Sequence, residues 1–186
     1  SSLEKDIGIN ISSLSDYIHK NPEFKSILFN NPSNYAENRL SGIKDKKPTY
    51  FISLNSLLSS GTVIEVEKAK NINDTINIVN YFSNIDSEIV INPYIIIVCK
   101  EGSEVSFQEI SHNIKSWNNT LKEFFIRKDS NLTFSSLQEK ISTGIKTSSI
   151  NCHIDENAEL NLKVLKKERS KEDIRVFLNK ENSTAN

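Results

Sequence analysis

The sequence predicts a mainly β chain, folded as a parallel β-helix of flattened two-strand coils behind a small helical N-terminal region. Three observations predict it. A charged residue, a small polar turn and an apolar-polar-apolar step recur at Glu101-Gly102-Ser103-Glu104-Val105-Ser106-Phe107, Lys128-Asp129-Ser130-Asn131-Leu132-Thr133-Phe134, Glu156-Asn157-Ala158-Glu159-Leu160-Asn161-Leu162 and Glu181-Asn182-Ser183-Thr184-Ala185-Asn186. The first residues of these copies are separated by 27, 28 and 25 positions (101 to 128, 128 to 156, 156 to 181), a near-constant step that marks stacked supersecondary units. Each turn also follows a run rich in Ile, Val, Phe and Leu: Tyr94 to Val98, Leu121 to Ile126, Ser149 to Ile154, and Ile174 to Leu178. Such short, β-branched and aromatic runs are strand chemistry.

Units of two strands and two turns stack so that each strand pairs with its counterpart one coil away. Side chains alternate along a strand, so Val105 and Phe107, Leu132 and Phe134, and Leu160 and Leu162 are expected in inward columns. Ser106, Thr133 and Asn161 then face out. Leucine-rich repeats fit worse, because they are usually about 20 to 29 residues long and carry a leucine-and-asparagine pattern missing here.

Residues 1–61 read as the helical region and cap, and residues 62–186 as the β-helix core, truncated at its C-terminus. Ser12 or Ser13 can cap a short helix carrying Leu14, Tyr17 and Ile18, which Asn21-Pro22 ends. Phe24, Ile27 and Leu28 give a second amphipathic turn, and Asp45-Lys46-Lys47-Pro48 reads as an exposed connection. Thr49 to Gly61 reads as the strongest helix, with Thr49 as N-cap, Phe51, Leu54, Leu57 and Leu58 on one face, and Gly61 in the left-handed position that ends it. This helix is expected to cap one end of the stack. Val63 to Val66 and Ile76 to Tyr81 read as strands of a first, less regular coil.

Bulk properties name no partner. A chain of 186 residues buries roughly 70% of its extended surface, enough for a real core. Its net charge of -1 and pI of about 6.3 generate no field that would gather nucleic acid or an anionic membrane. No apolar run approaches the length of about 18 residues that a membrane-spanning helix needs. Cys99 and Cys152 lie in strand-like runs, which predicts small buried thiols and a reducing, cytoplasmic compartment. The absence of Met, with Ser1-Ser2 at the start, reads as a fragment.

The order of these pieces resembles the SufB/SufD scaffold proteins of iron-sulfur cluster assembly. The similar segments are Tyr50 to Leu58 followed by Gly61, Asn92 to Val98 with Glu101 to Val105, Asn131 to Phe134 with Leu137-Gln138, and His153 to Leu162. Together they span roughly residues 50 to 180, and their order rather than any one segment carries the likeness. SufB-like chains typically carry Glu-Gly-Cys after the strand matching Val105 to Glu109, and that cysteine is thought to receive sulfur. Here the run is Glu109-Ile110-Ser111. A hydroxyl cannot hold persulfide sulfur. The resemblance therefore implies the SufD-like branch: a non-catalytic scaffold that pairs with a SufB-like subunit and a SufC-like ATPase. No catalytic, metal or cofactor residue is carried over, and an iron-sulfur cluster is implied only for the full assembly.

The remaining candidates are soft ligands and corner carboxylates. Cys152 and His153 are adjacent, so on a strand they point to opposite faces and cannot share a metal without distortion. They read as a buried thiol beside an exposed imidazole. Cys99 reads as buried, and His112 reads as a turn residue rather than a general base, because no nucleophile motif accompanies it. Trp117, among polar neighbours, reads as a corner aromatic that packs over a loop or anchors a contact. Glycine-rich phosphate loops are missing. Two other classes fit a β-helix. One is an acyltransferase or polysaccharide-acting enzyme, for which carboxylates such as Glu101, Asp129 and Glu156 would have to converge. The other is a carbohydrate-binding or adhesion solenoid.

Overall fold

The computed structural model describes residues 7–22, 24, 61–81, 90–112, 117–138, 145–165 and 170–186. The predicted helix over residues 49–60, the amphipathic positions Ile27 and Leu28 and the connection over residues 45–48 lie outside the described residues. The elements are β1 (Ile9–Ser13), α1 (Leu14–Lys20), β2 (Thr62–Val66), β3 (Asn71–Tyr81), β4 (Val90–Ile91), β5 (Tyr94–Cys99), β6 (Glu104–His112), β7 (Trp117–Ile126), β8 (Asn131–Gln138), β9 (Ile145–Ile154), β10 (Glu159–Leu165), β11 (Ser170–Leu178) and β12 (Thr184–Ala185).

Two sheets face each other across a lumen. The first runs β1-β2-β5-β7-β9-β11 with β4 also on β7; the second runs β3-β6-β8-β10-β12. Every pairing except β1 with β2 is parallel, so each strand lies beside its counterpart one coil away. This is the parallel β-solenoid that the repeat predicts. The register is the expected one: Phe107 pairs with Phe134 and Phe134 with Leu162, while Val105 pairs with Leu132 and Leu132 with Leu160. These columns point inward and join Ile97, Phe124, Ile126 and Cys152 in one core, with Leu162 packed at its margin.

The repeated turn fixes the same corner in every coil. Ala69, Gly102, Asp129, Asn157 and Asn182 occupy one position in successive turns, and all have φ between 52° and 70°. Gly and the short Asx side chains tolerate this left-handed conformation best, which is the physical content of the small polar turn read in the sequence. Neighbouring turns bond through that same residue: the Gly102 amide donates to the Lys128 carbonyl (3.0 Å), and the Asp129 amide to the Glu156 carbonyl (3.0 Å). Side chains continue the ladder. The Asn182 amide nitrogen donates to Asn157 Oδ1 (3.1 Å), and that of Asn157 to Asp129 Oδ1 (2.9 Å). We expect Asn157→Val to cost about 1–2 kcal/mol for the left-handed backbone alone, plus the lost ladder bonds, and Asn157→Gly to cost less. The check is a thermal melt, in which the Val variant should fall by about 5 °C and the Gly variant by less.

The N-terminal region differs from the helical lead-in read from sequence. Ser13 caps α1 as expected, its hydroxyl accepting from the Asp16 amide (3.0 Å). Residues 9–13, however, form β1, which runs antiparallel to β2 and covers its free edge, removing a row of unpaired backbone groups. α1 lies against the outside of the first sheet, whereas the helix expected to cap the stack lies outside the described residues. Leu14, Tyr17 and Phe24 pack on Val63, Ile96, Val98, Leu121 and Phe125, the outward face of the first sheet. Over β2, β5 and β7 that sheet is therefore buried on both faces, as the β5 pattern of six consecutive buried residues records. Gly61 is left-handed as predicted (φ 71°); a Cβ there would lie 3.0 Å from both Leu14 Cβ and Tyr94 Cδ1.

Candidate functional site

The sequence candidates separate onto the two faces of the first sheet. Cys152 lies in the inward column Ile64–Ile97–Phe124–Cys152–Val176 and Cys99 in the neighbouring column Val66–Cys99–Ile126–Ile154–Leu178. Both are buried free thiols. Desolvation pushes each up to about 12; for Cys99 the neighbouring Ser103 side chain partly offsets it. At neutral pH both are therefore thiols, and the thiolate is the nucleophile and metal ligand. Among the described residues no group of three His, Cys, Asp or Glu side chains could hold a metal ion.

His153 points the other way, as the period of two requires, but its imidazole is not exposed. It is stacked between Phe125 (centroids 4.8 Å apart, planes at 5°) and Phe177 (5.0 Å, 20°) in an outward aromatic column. Burial, assisted by the Arg127 guanidinium and opposed by Asp155, pushes its pKa down to about 4. The ring is thus a neutral stacking partner at physiological pH. Its proton linkage has a definite sign. An unfolded chain takes up a proton near pH 6.5 that the folded ring refuses until about pH 4, so this contribution is intact above 6.5 and declines as pH falls through that window. The ceiling is on the order of 3 kcal/mol. His153→Phe keeps the stack and should flatten the difference in urea stability between pH 7 and pH 4.5; an unchanged difference would show that the imidazole does not carry it.

His112 closes β6 rather than sitting in a turn. Trp117 opens β7, half-buried, with its indole nitrogen donating to Thr147 Oγ1 (2.9 Å). Thr147 in turn donates to Asn119 Oδ1 (3.0 Å), so the indole is built into an outer polar ladder. The corner carboxylates are also engaged: Glu101 with Lys68 (3.2 Å), Glu156 with Lys128 (3.0 Å), and Asp129 with Asn157.

A different cluster, in the lumen, concentrates the unusual chemistry. Toward the turns the inward columns are apolar, but Glu109, Lys122 and Lys146 occupy inward positions farther along the strands. Lys122 replaces an apolar side chain in the column Ile95–Lys122–Ile150–Ile174. Lys122 Nζ lies 2.8 Å from Glu109 Oε2 with both side chains almost fully buried. Glu109 also accepts from Ser136 Oγ (2.7 Å) and Asn80 Nδ2 (2.9 Å). Burial alone would raise the Glu109 carboxyl, but the Lys122 and Lys146 charges and these hydrogen bonds outweigh it and hold the group ionised, below its ordinary range. The Lys122 ammonium also stands 5.8 Å from the Phe134 ring centroid.

Sequence reasoning passed over these residues, although the inward phase was available. Phe124 and Ile126 fix the parity of β7, and two residues back that parity falls on Lys122. The covered outer face obscured it, because Leu121 and Phe125 are equally apolar.

Fold and site together define a parallel β-solenoid with inert inward thiols, a stacked outer aromatic column and a buried charge network across its lumen. No protein-family model matches the chain, and no curated protein matches it.

Proposed function

We propose that the chain is a non-catalytic, SufD-like scaffold of cytoplasmic iron-sulfur cluster assembly, which pairs with a SufB-like subunit and a SufC-like ATPase. The observation that carries this reading is the state of the sulfur-handling positions. Cys99 and Cys152 are sequestered protonated thiols, and the place after Glu109-Ile110 is Ser111, itself buried. A chain arranged so contributes surfaces rather than a sulfur acceptor. Two of the segments that carry the resemblance sit on the same repeating strand-turn-strand unit: residues 94–105 cover β5, its turn and the start of β6, and residues 153–162 cover the end of β9, its turn and the start of β10. Glu101 and Glu156 stand at exposed corners, each paired with a lysine, an arrangement that solvation alone accounts for.

The test is affinity copurification of the full-length protein with SufB-like and SufC-like proteins from the same source. Recovery of a stable complex, with cluster assembly unaffected by Cys152→Ala, is the expected result. Failure to associate with either protein, or glycan turnover by the purified chain, would overturn the proposal.

A further inference from the structure

We propose that the outer face of the second sheet is a self-complementary docking surface, on which a second copy of this chain binds face to face about a two-fold axis parallel to the strands. The inference goes beyond the scaffold reading and does not depend on it. Side chains alternate, so every second residue of β6, β8 and β10 and of the regular part of β3 points away from the lumen, and the in-register pairing stacks these residues in columns. One column is wholly apolar: Val79 pairs with Ile110, Ile110 with Leu137, and Leu137 with Leu165. It runs along the flank of the stack, with Val79 56% and Leu165 65% exposed. The outer face of the first sheet is apolar too, but there α1 and Phe24 cover it.

Charge decides what fits on this face. The two outward columns beside the apolar one hold Asn, Gln, Ser and Thr, with Lys163 as their one charge, although 25% of the chain's residues are charged. Carboxylates return in the next column toward the turns, at Glu104 and Glu159. A centre depleted of charge inside a polar rim is the anatomy of a protein interface. A two-fold axis parallel to the strands reverses their order, setting β3 against β10 of the other copy and β6 against β8. The apolar column then lies on its own copy, Val79 on Leu165 and Ile110 on Leu137. Lys163 meets Asn77, Glu104 meets Asn131, and Glu159 meets Asn71, so each charge faces an amide and none faces its like. The symmetry also makes every such contact twice, which favours a second copy over an unrelated partner. Four strands about 4.8 Å apart and three outward positions about 7 Å apart give about 400 Å² on each copy, half of the roughly 800 Å² that a standard interface buries on each partner. The dimer is therefore weak and reversible.

Sedimentation equilibrium of the intact chain over a concentration series tests the association, and introduced cysteines test its geometry. Within one copy, positions 79 and 165 are separated by three strand spacings, about 14 Å, whereas a disulfide spans no more than about 7 Å between Cα atoms. A bond between them must therefore join two copies. Cys99 and Cys152 are buried and do not compete. We expect a monomer–dimer equilibrium, with covalent dimer forming under mild oxidation about tenfold faster for Val79→Cys combined with Leu165→Cys than for either change alone. Ile110→Lys, checked by circular dichroism for an unchanged fold, should weaken the association about tenfold or more. A chain that stays monomeric throughout the series, or that cross-links through position 79 alone as fast as through the pair, would overturn the proposal; so would a face that binds other proteins while the chain itself remains monomeric.

Discussion

Phe134→Asp is expected to abolish the folded state. The Phe134 ring is 0% exposed, lies 4.7 Å from the Phe124 centroid, and pairs in register with Phe107 below and Leu162 above. Losing an aromatic ring from such a site costs about 3–5 kcal/mol, and a carboxylate placed there meets neither solvent nor a free donor. Lys122, the nearest cation, is already engaged by Glu109. Against a total stability of about 5–15 kcal/mol the combined loss is decisive. Phe134→Leu preserves shape and apolarity and should cost far less. Circular dichroism and urea titration of the two variants decide it: a cooperative transition at wild-type denaturant concentration for the Asp variant would mean that residue 134 does not face the lumen.

Glu109→Ala should be nearly as damaging, by about 3–5 kcal/mol, because it strands the Lys122 ammonium in the lumen and also removes the acceptor of Ser136 and Asn80. Lys122→Met leaves the complementary error, a buried carboxylate deprived of its nearest counter-charge. The informative comparison is the double variant. Glu109→Leu combined with Lys122→Met replaces both charges with apolar volume, beside Ile78 and Ser136 on one sheet and Ile95 and Ile150 on the other. It is expected to be more stable than either single change, because desolvation is no longer suffered by an unpaired ion. Additive losses would show that the two groups do not interact across the lumen.

The parts of the fold that were legible in the sequence are those governed by local rules repeated several times. A left-handed turn position accepts few residues, so Gly102, Asp129, Asn157 and Asn182 announce it, and the inward columns follow from the period of two counted from each turn. Ser13 as N-cap and Gly61 as a left-handed residue were readable for the same reason. What escaped depended on distant coverage. β1 is short, and its antiparallel pairing with β2 spans 48 intervening residues (14 to 61), so only the alternation of Ile9, Asn10 and Ile11 hints at it. The outer face of the first sheet is buried beneath α1 and Phe24, which makes Leu121-Lys122-Glu123-Phe124-Phe125 apolar on both sides and hides which charges face the lumen. His153 looked exposed for the converse reason: the parity was right, but its stack with Phe125 and Phe177 joins residues more than twenty positions away.

The central claim is that equivalent side chains lie in register along one axis. Nuclear Overhauser contacts between strands test it most directly, since neighbouring parallel strands are about 4.8 Å apart and bring paired residues within range. The account predicts contacts of Ser106 with Thr133 and of Thr133 with Asn161, in the pattern of parallel strands. Contacts that zip β7 to β8 as an antiparallel hairpin, or helical contacts within residues 94–178, would contradict it.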